Sequence, residues 1–217
     1  ISQEFGQYFA RLPLKKAANI INGNSLRIKW EDIVSPNELS YILGNPPFYG
    51  KQLQTKEQKE DLSLVFAGVK GAGVMDYVSA WYIKAAKYIN QTKIAVGFVS
   101  TNSITQGEQV GILWNELFNE YKIKIHFAHR TFNWKNEAKS NAAVHVVIIG
   151  FANFDKKNKS IFEYKDINEE PHEIQAKNIN PYLIDAGDLF LIKRRQPINN
   201  VSEISFGSMP NDGGNFL

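Results

Sequence analysis

Residues 41–50 read YILGNPPFYG. The opening Tyr-Ile-Leu suits a strand, and the run then stops at two consecutive prolines. Pro46 and Pro47 each fix φ at about −65° and lack a backbone N–H, so neither can donate in a sheet ladder. A strand that ends this way runs into a stiff loop. Asn45 places an amide oxygen on that loop, and carbonyls beside the prolines are left free to accept elsewhere. Phe48 follows as a flat apolar surface. Open α/β sheets put their ligands at the carboxyl ends of parallel strands. Two stiff acceptors beside a ring make a receptor for a planar base that carries an exocyclic amine. The plainer reading is a rigid turn with Phe48 capping the core.

The flanking sequence supplies the sheet that such a loop requires. LSYIL (39–43) is the strand entering the prolines, and ANIING (18–23) reads as an earlier short strand stopped by Gly23. KEQKEDLSLVFAG is helical, and VMDYVSAWYIKAAKYI (74–89) has helix period, with Tyr77, Trp81, Ala85 and Tyr88 on one face. KIAVGFVS (93–100) is a near-continuous apolar run, as expected of a strand covered on both faces. EQVGILWNELFNEY (108–121) is helical, with Val110, Leu113, Trp114, Leu117 and Phe118 on its apolar side. KIHFAH (124–129), AAVHVVIIGF (142–151) and SIFEY (160–164) are strands. Strands alternating with helices give an α/β fold with a mainly parallel sheet. No clear helix separates 124–129 from 142–151, so that pair is expected to be antiparallel. Residues 1–165 therefore read as one α/β unit, and 166–217 as a polar connector leaving the sheet.

Composition narrows the function classes. The chain has 217 residues, 43% of them hydrophobic, enough for one proper core. No stretch approaches the ~18 uninterrupted apolar residues of a membrane span. The absence of cysteine removes disulfides, thiol catalysis and cysteine-ligated metals, and is compatible with a cytoplasmic protein, the location we expect. A net charge of +3 permits nucleic-acid binding without demanding it. His126, His129 and His145 lie close in sequence, but with no cysteines or clustered carboxylates nearby we expect no metal site. GVKGAG (68–73) lacks the lysine-serine ending of a phosphate loop and reads as a mobile flap. Lys15, Lys16, Arg130 and the KRR run at 193–195 read first as a solvated charged face.

ILGNPPF as a whole resembles motif IV of the amino-group DNA methyltransferases, whose pattern is Asp/Asn/Ser-Pro-Pro-Tyr/Phe after a hydrophobic strand. Further resemblances follow in that family's order. INGNSLRIKW (21–30) is similar to motif III, DYVSAWYIKAA (76–86) to motif V and AVGFVSTNSITQGEQV (95–110) to motif VI. HFAHRTFNWKNEAKSNAAVHVVIIGF (126–151) is similar to the strand pair of motifs VII and VIII. The finer wording of ILGNPPF, STNSITQGEQV, AHRTFNW and AVHVVIIGF resembles the MmeI-like single-chain restriction–modification enzymes. The segment FGSMPNDGG resembles the lead into their target-recognition domain.

That resemblance implies part of a class I, Rossmann-like S-adenosylmethionine-dependent methyltransferase, with a mainly parallel sheet and an antiparallel closing strand. It implies methylation of the exocyclic amine of an adenine flipped out of double-stranded DNA, in a restriction–modification system. Asn45 and the carbonyl of Pro46 would accept from the target amine, Pro47 would stiffen the loop, and Phe48 would stack on the base. Asn24 would contact the cofactor adenine, with Ser25 and Leu26 lining that pocket. Phe132, with Trp134 in reserve, would form the second wall of the base pocket. The chain departs from the family in lacking the glycine-rich motif I loop that holds the cofactor's methionine end. We therefore expect a piece of a longer enzyme, inactive alone, binding S-adenosylmethionine weakly or not at all. Its uncovered sheet edge would leave it open to self-association. Two competing expectations are an RNA or protein-glutamine methyltransferase with the same tetrapeptide, and a non-catalytic DNA-binding or interface module.

Overall fold

The computed structural model of the protein describes residues 18–134, 144–166, 170–193 and 199. The strands among them are β1 (Tyr41–Gly44), β2 (Ala95–Thr101), β3 (Lys124–Trp134), β4 (Val144–Ala152), β5 (Lys159–Glu163) and β6 (His172–Ala176). The α-helices are α1 (Lys56–Val65), α2 (Ser79–Tyr88) and α3 (Gly107–Asn119). All six strands form one sheet in the order β1-β2-β4-β3-β5-β6. β1 is parallel to β2, and β3 to β5; β4 is antiparallel to both β2 and β3, and β6 to β5. Hence β1, β2, β3 and β5 run one way, while β4 and β6 run against them. The α3 crossover carries the chain from β2 to β3 and leaves a gap that β4 fills, which is why the expected antiparallel pair closes the sheet.

One face of the sheet carries the core. Val96, Phe98 and Ser100 of β2 and Val147, Ile149 and Phe151 of β4 are buried there. Tyr82 of α2 is the central ring: it lies 5.4 Å from Phe98, 5.2 Å from Phe151 and 6.1 Å from Trp114 of α3. Its hydroxyl and that of Ser100 share a 2.6 Å hydrogen bond, so the buried phenol is satisfied. The indole of Trp114 donates to the Ile104 carbonyl at 2.8 Å. The opposite face is built differently. Phe127 crosses Gly150, where a Cβ would come to 2.0 Å from a ring carbon, so only glycine fits. At the β1 edge, Tyr41 and Leu43 are 71% and 82% exposed.

Several expectations need correction. Residues 18–23 form no strand: Ile20 and Ile21 are exposed and no neighbouring strand pairs with them. The helix expected over 74–89 begins only at Ser79. Ahead of it Ala72–Val74 forms a 3₁₀ turn, and the Asp76 carboxylate accepts from Val78 N–H at 3.1 Å in the manner of a cap. β2 is not covered equally on both faces; its residues alternate between half-buried and buried, because α2 and α3 pack on the Phe98 side. The connector does not leave the sheet at once, since β6 first pairs with β5 along its whole length. Residues 1–17, including Lys15 and Lys16, fall outside the described residues, as do 135–143, Arg194, Arg195 and 200–217.

Candidate active site

The proline loop leaves β1 at the carboxyl end of the parallel strands, as its sequence predicts. Gly44 sits against the Phe98 ring, where a Cβ would approach to 3.0 Å, so the turn into Asn45 is seated directly on the core. Pro46 is buried, Phe48 is half-buried against the core cluster, and Asn45 and Pro47 are exposed. Among the described residues neither the Asn45 side chain nor the Pro46 carbonyl has a hydrogen-bond partner. Two acceptors therefore stand free on a stiff loop beside a ring.

The far end of this shelf is clamped from three elements. Tyr49 N–H donates to the Asp76 carboxylate at 3.2 Å. Its carbonyl accepts from Tyr77 N–H at 2.9 Å and from the Gln54 amide at 2.8 Å. The same Gln54 nitrogen donates to the Met75 carbonyl at 2.9 Å. Asp76 N–H donates in turn to Gln109 of α3 at 2.9 Å. Burial pushes the Asp76 carboxyl above its usual range, against the bonds from Val78, Tyr49 and Thr101 that favour the charged form.

The turn at Asn24–Leu26 is pinned just as firmly, by side chains. Asn24 accepts from Leu26 N–H at 2.9 Å and donates through its amide to Asp61 of α1 at 2.8 Å. Asp61, 2% exposed, also accepts from Arg27 at 2.6 Å and from the Tyr77 hydroxyl at 2.7 Å. Burial alone would raise the Asp61 carboxyl; the bonds from Tyr77, Arg27 and Asn24 outweigh it and hold the group below its usual range. Ser25 accepts from the Trp81 indole at 3.0 Å, and Leu26 is buried. Both ends of the Asn24 amide and the Ser25 oxygen are thus engaged inside the protein, and what the turn has left to offer a ring such as adenine is the second N–H of Asn24 and the Ser25 O–H. The described residues offer no counterpart for a methionine tail.

The aromatic candidates divide. Phe132 stands on the row of Thr101 and Val146, three rows beyond the row of Gly44, Phe98 and Ile149. That puts it at the same end of the sheet as the shelf, three strand spacings away, about 14 Å at ~4.8 Å each. Its ring stacks on Tyr164 at 5.0 Å, and Tyr164 shares a 2.8 Å hydrogen bond with His129, which stacks on Phe162 at 4.3 Å. The backbone of Trp134 pairs with Val144, and its side chain lies outside the described residues. The histidines separate: His126 bonds the Phe154 carbonyl at 2.7 Å, His129 bonds Tyr164, and His145 is exposed. GVKGAG packs against α3, with Gly71 over Ile112, and lines a cleft with Glu108 and Lys193.

Gln54, Asp61, Asp76 and Tyr77 do this positioning, and none stood out in the sequence as a site residue. Asp61 carried a usable signal, an acid one helical turn before Val65 on the apolar side of α1. Asp76 lay inside the helix read over 74–89 and carried no signal of its own. Gln54 had no signal, because what it bridges is fixed only by the fold.

A sheet of this order, with a proline-stiffened acceptor shelf at a strand's carboxyl end, defines a Rossmann-like methyltransferase domain. A family model described as the DNA-methyltransferase domain of MmeI matches residues 1–163, and the chain belongs to that family. It is 45% identical over 209 residues to DNA methyltransferase A of Bacillus subtilis strain 168, covering 95% of this chain and 23% of that protein. It matches the structure of MmeI, a Type IIL restriction-modification enzyme in complex with DNA. That match has a TM-score of 0.84 at 55% identity, over 92% of this chain and 27% of that one. The chain thus spans about a quarter of the length of these relatives.

Proposed function

We propose that this chain is the target-base half of a DNA methyltransferase that methylates the exocyclic amine of a flipped-out adenine in a restriction–modification system. The single observation that carries the reading is the pair of unpartnered acceptors, Asn45 Oδ1 and the Pro46 carbonyl, on a stiff loop beside Phe48. An exocyclic amine has two N–H groups, and two fixed acceptors would engage both. The nitrogen lone pair is then held in one direction, and the rate comes from that orientation. No activated nucleophile is needed. Phe48 supplies a face for the extruded base, whose amine is otherwise paired inside the duplex. When bound, S-adenosylmethionine would supply the methyl group, which passes from the sulfonium sulfur to the amine nitrogen as S-adenosylhomocysteine leaves and the nitrogen gives up a proton. Asn24, Ser25 and Leu26 would hold its adenine. Membership of the MmeI methyltransferase family and the likeness to an enzyme solved with DNA support duplex DNA as the partner.

The test uses the complete natural protein that contains this chain. Asn45→Ala should abolish methylation of unmethylated duplex DNA while DNA binding persists, and surviving methylation would remove Asn45 from the mechanism. Parallel assays with RNA and with protein substrates should show no transfer. For the 217-residue chain alone, isothermal titration should show S-adenosylmethionine binding weaker than micromolar, because nothing in it replaces motif I.

A further inference from the structure

Tyr77 touches both halves of the proposed site. Its hydroxyl donates to Asp61 at 2.7 Å, and Asp61 holds the Asn24 amide. Its ring meets Trp81 edge-on at 5.0 Å, and the Trp81 indole donates to Ser25. Its backbone N–H donates to the Tyr49 carbonyl at 2.9 Å, one residue past Phe48. Its ring also lies 6.4 Å from that of Tyr49. The residue is 5% exposed, so these bonds are made away from water. The turn at Asn24 and the shelf at Asn45 are 21 residues apart in sequence, and neither is hydrogen-bonded directly to the other.

We propose that Tyr77 is a positioning residue that holds the cofactor-side turn and the target-base shelf in register. The inference rests on the functional reading above. In-line transfer between two bound groups is sensitive to displacements of about 1 Å. A residue bonded to both supports therefore governs the transfer step more than the binding of either group. Side chain and backbone divide the work: the hydroxyl and ring serve the Asn24 turn, and the N–H serves the shelf. Tyr77→Phe cuts the first link at one atom and leaves the second intact.

The experiment is single-turnover methyl transfer by the complete natural protein on unmethylated genomic DNA, at saturating S-adenosylmethionine. Binding of S-adenosylhomocysteine is measured by titration alongside. Tyr77→Phe should slow transfer about tenfold while its affinity for S-adenosylhomocysteine stays within about threefold. Because Tyr77 acts through the Asn24 turn, the same change in an Asn24→Ala background should cost much less than tenfold. A transfer rate within about twofold of the parent overturns the proposal. So does an equal loss in both backgrounds, or a tenfold loss of affinity at unchanged transfer rate, which would make Tyr77 a binding support only. Asn45→Ala, run in parallel, keeps the two readings distinguishable: if it still methylates, the functional reading falls and Tyr77 is not the cause.

Discussion

Asn24 opens a tight turn and Asn45 a proline-stiffened loop, and the protein treats the two asparagines in opposite ways. Asn24 has both ends of its amide engaged, by Leu26 N–H and by Asp61. Among the described residues the Asn45 side chain has no partner, although Gly44 and Pro46 on either side are seated on the core. A turn whose side chain is committed is a support that must not move. A turn whose backbone is rigid and whose side chain is free is built to receive something. The difference also places the polar cost: Asn24 is satisfied without a ligand, whereas Asn45 stays solvated until one arrives.

Removing each asparagine's defining feature breaks that contrast. The largest effect is expected at the free side chain. Asn45→Ala should lower methyl transfer by about a hundredfold or more and leave folding untouched, since no internal bond is lost. Measuring turnover and the urea midpoint on one preparation checks both. The next effect is at the pinned turn and should fall on stability. Asp61→Ala strands the buried Tyr77 hydroxyl and frees Asn24, while Arg27, about half exposed, regains water. We expect a loss of about 2 kcal/mol, since an orphaned buried donor costs roughly 1–3 kcal/mol and an exposed partner little. The Asp61 contribution also has a pH signature. Its folded pKa is depressed, so the stabilisation is present above the unfolded value near 4 and disappears as pH falls through the folded value. A midpoint difference between parent and Asp61→Ala that failed to shrink on acidification would contradict the charge-based account.

The contrast also explains what the sequence could and could not reveal. The strand into Asn45, the amphipathic stripe of α3 and the antiparallel closing pair were legible because apolar period and proline chemistry are local. Over 18–23 the same reasoning failed. Asn-Ile-Ile is strand-like, but a strand needs a neighbour, and the fold provides none there. β6 was missed for the converse reason: HEIQA is polar, and an edge strand facing water needs little apolar pattern once β5 offers a ladder. At the site, the shelf residues were readable because their chemistry lies in four consecutive positions. Asp61, Asp76 and Tyr77 were not, because their roles arise from bonds spanning 16 to 37 residues.

The smallest expected effect sharpens the comparison most, because it concerns the second buried acid. Asp61 secures the Asn24 turn through a charge met by a guanidinium; Asp76 secures the shelf by accepting from two backbone N–H groups, with no cation bonded to it. An amide oxygen can accept both of those bonds, so Asp76→Asn should keep the Tyr49 anchor. The Asp76 pKa is raised by burial, so its sign is the reverse of Asp61's. Its stabilising contribution is complete below the unfolded value near 4 and is lost as pH rises through the raised folded value. Asp76→Asn should therefore lower the unfolding free energy at pH 7, read from urea titration, by no more than about 0.5 kcal/mol, or raise it. Relative to the parent, the variant should gain as pH increases from about 4 to 7, whereas Asp61→Ala loses as pH rises through the more acidic window that ends near 4. A loss above about 1 kcal/mol at pH 7 would mean that the Asp76 charge itself holds the shelf, and the two turns would then be secured in the same way.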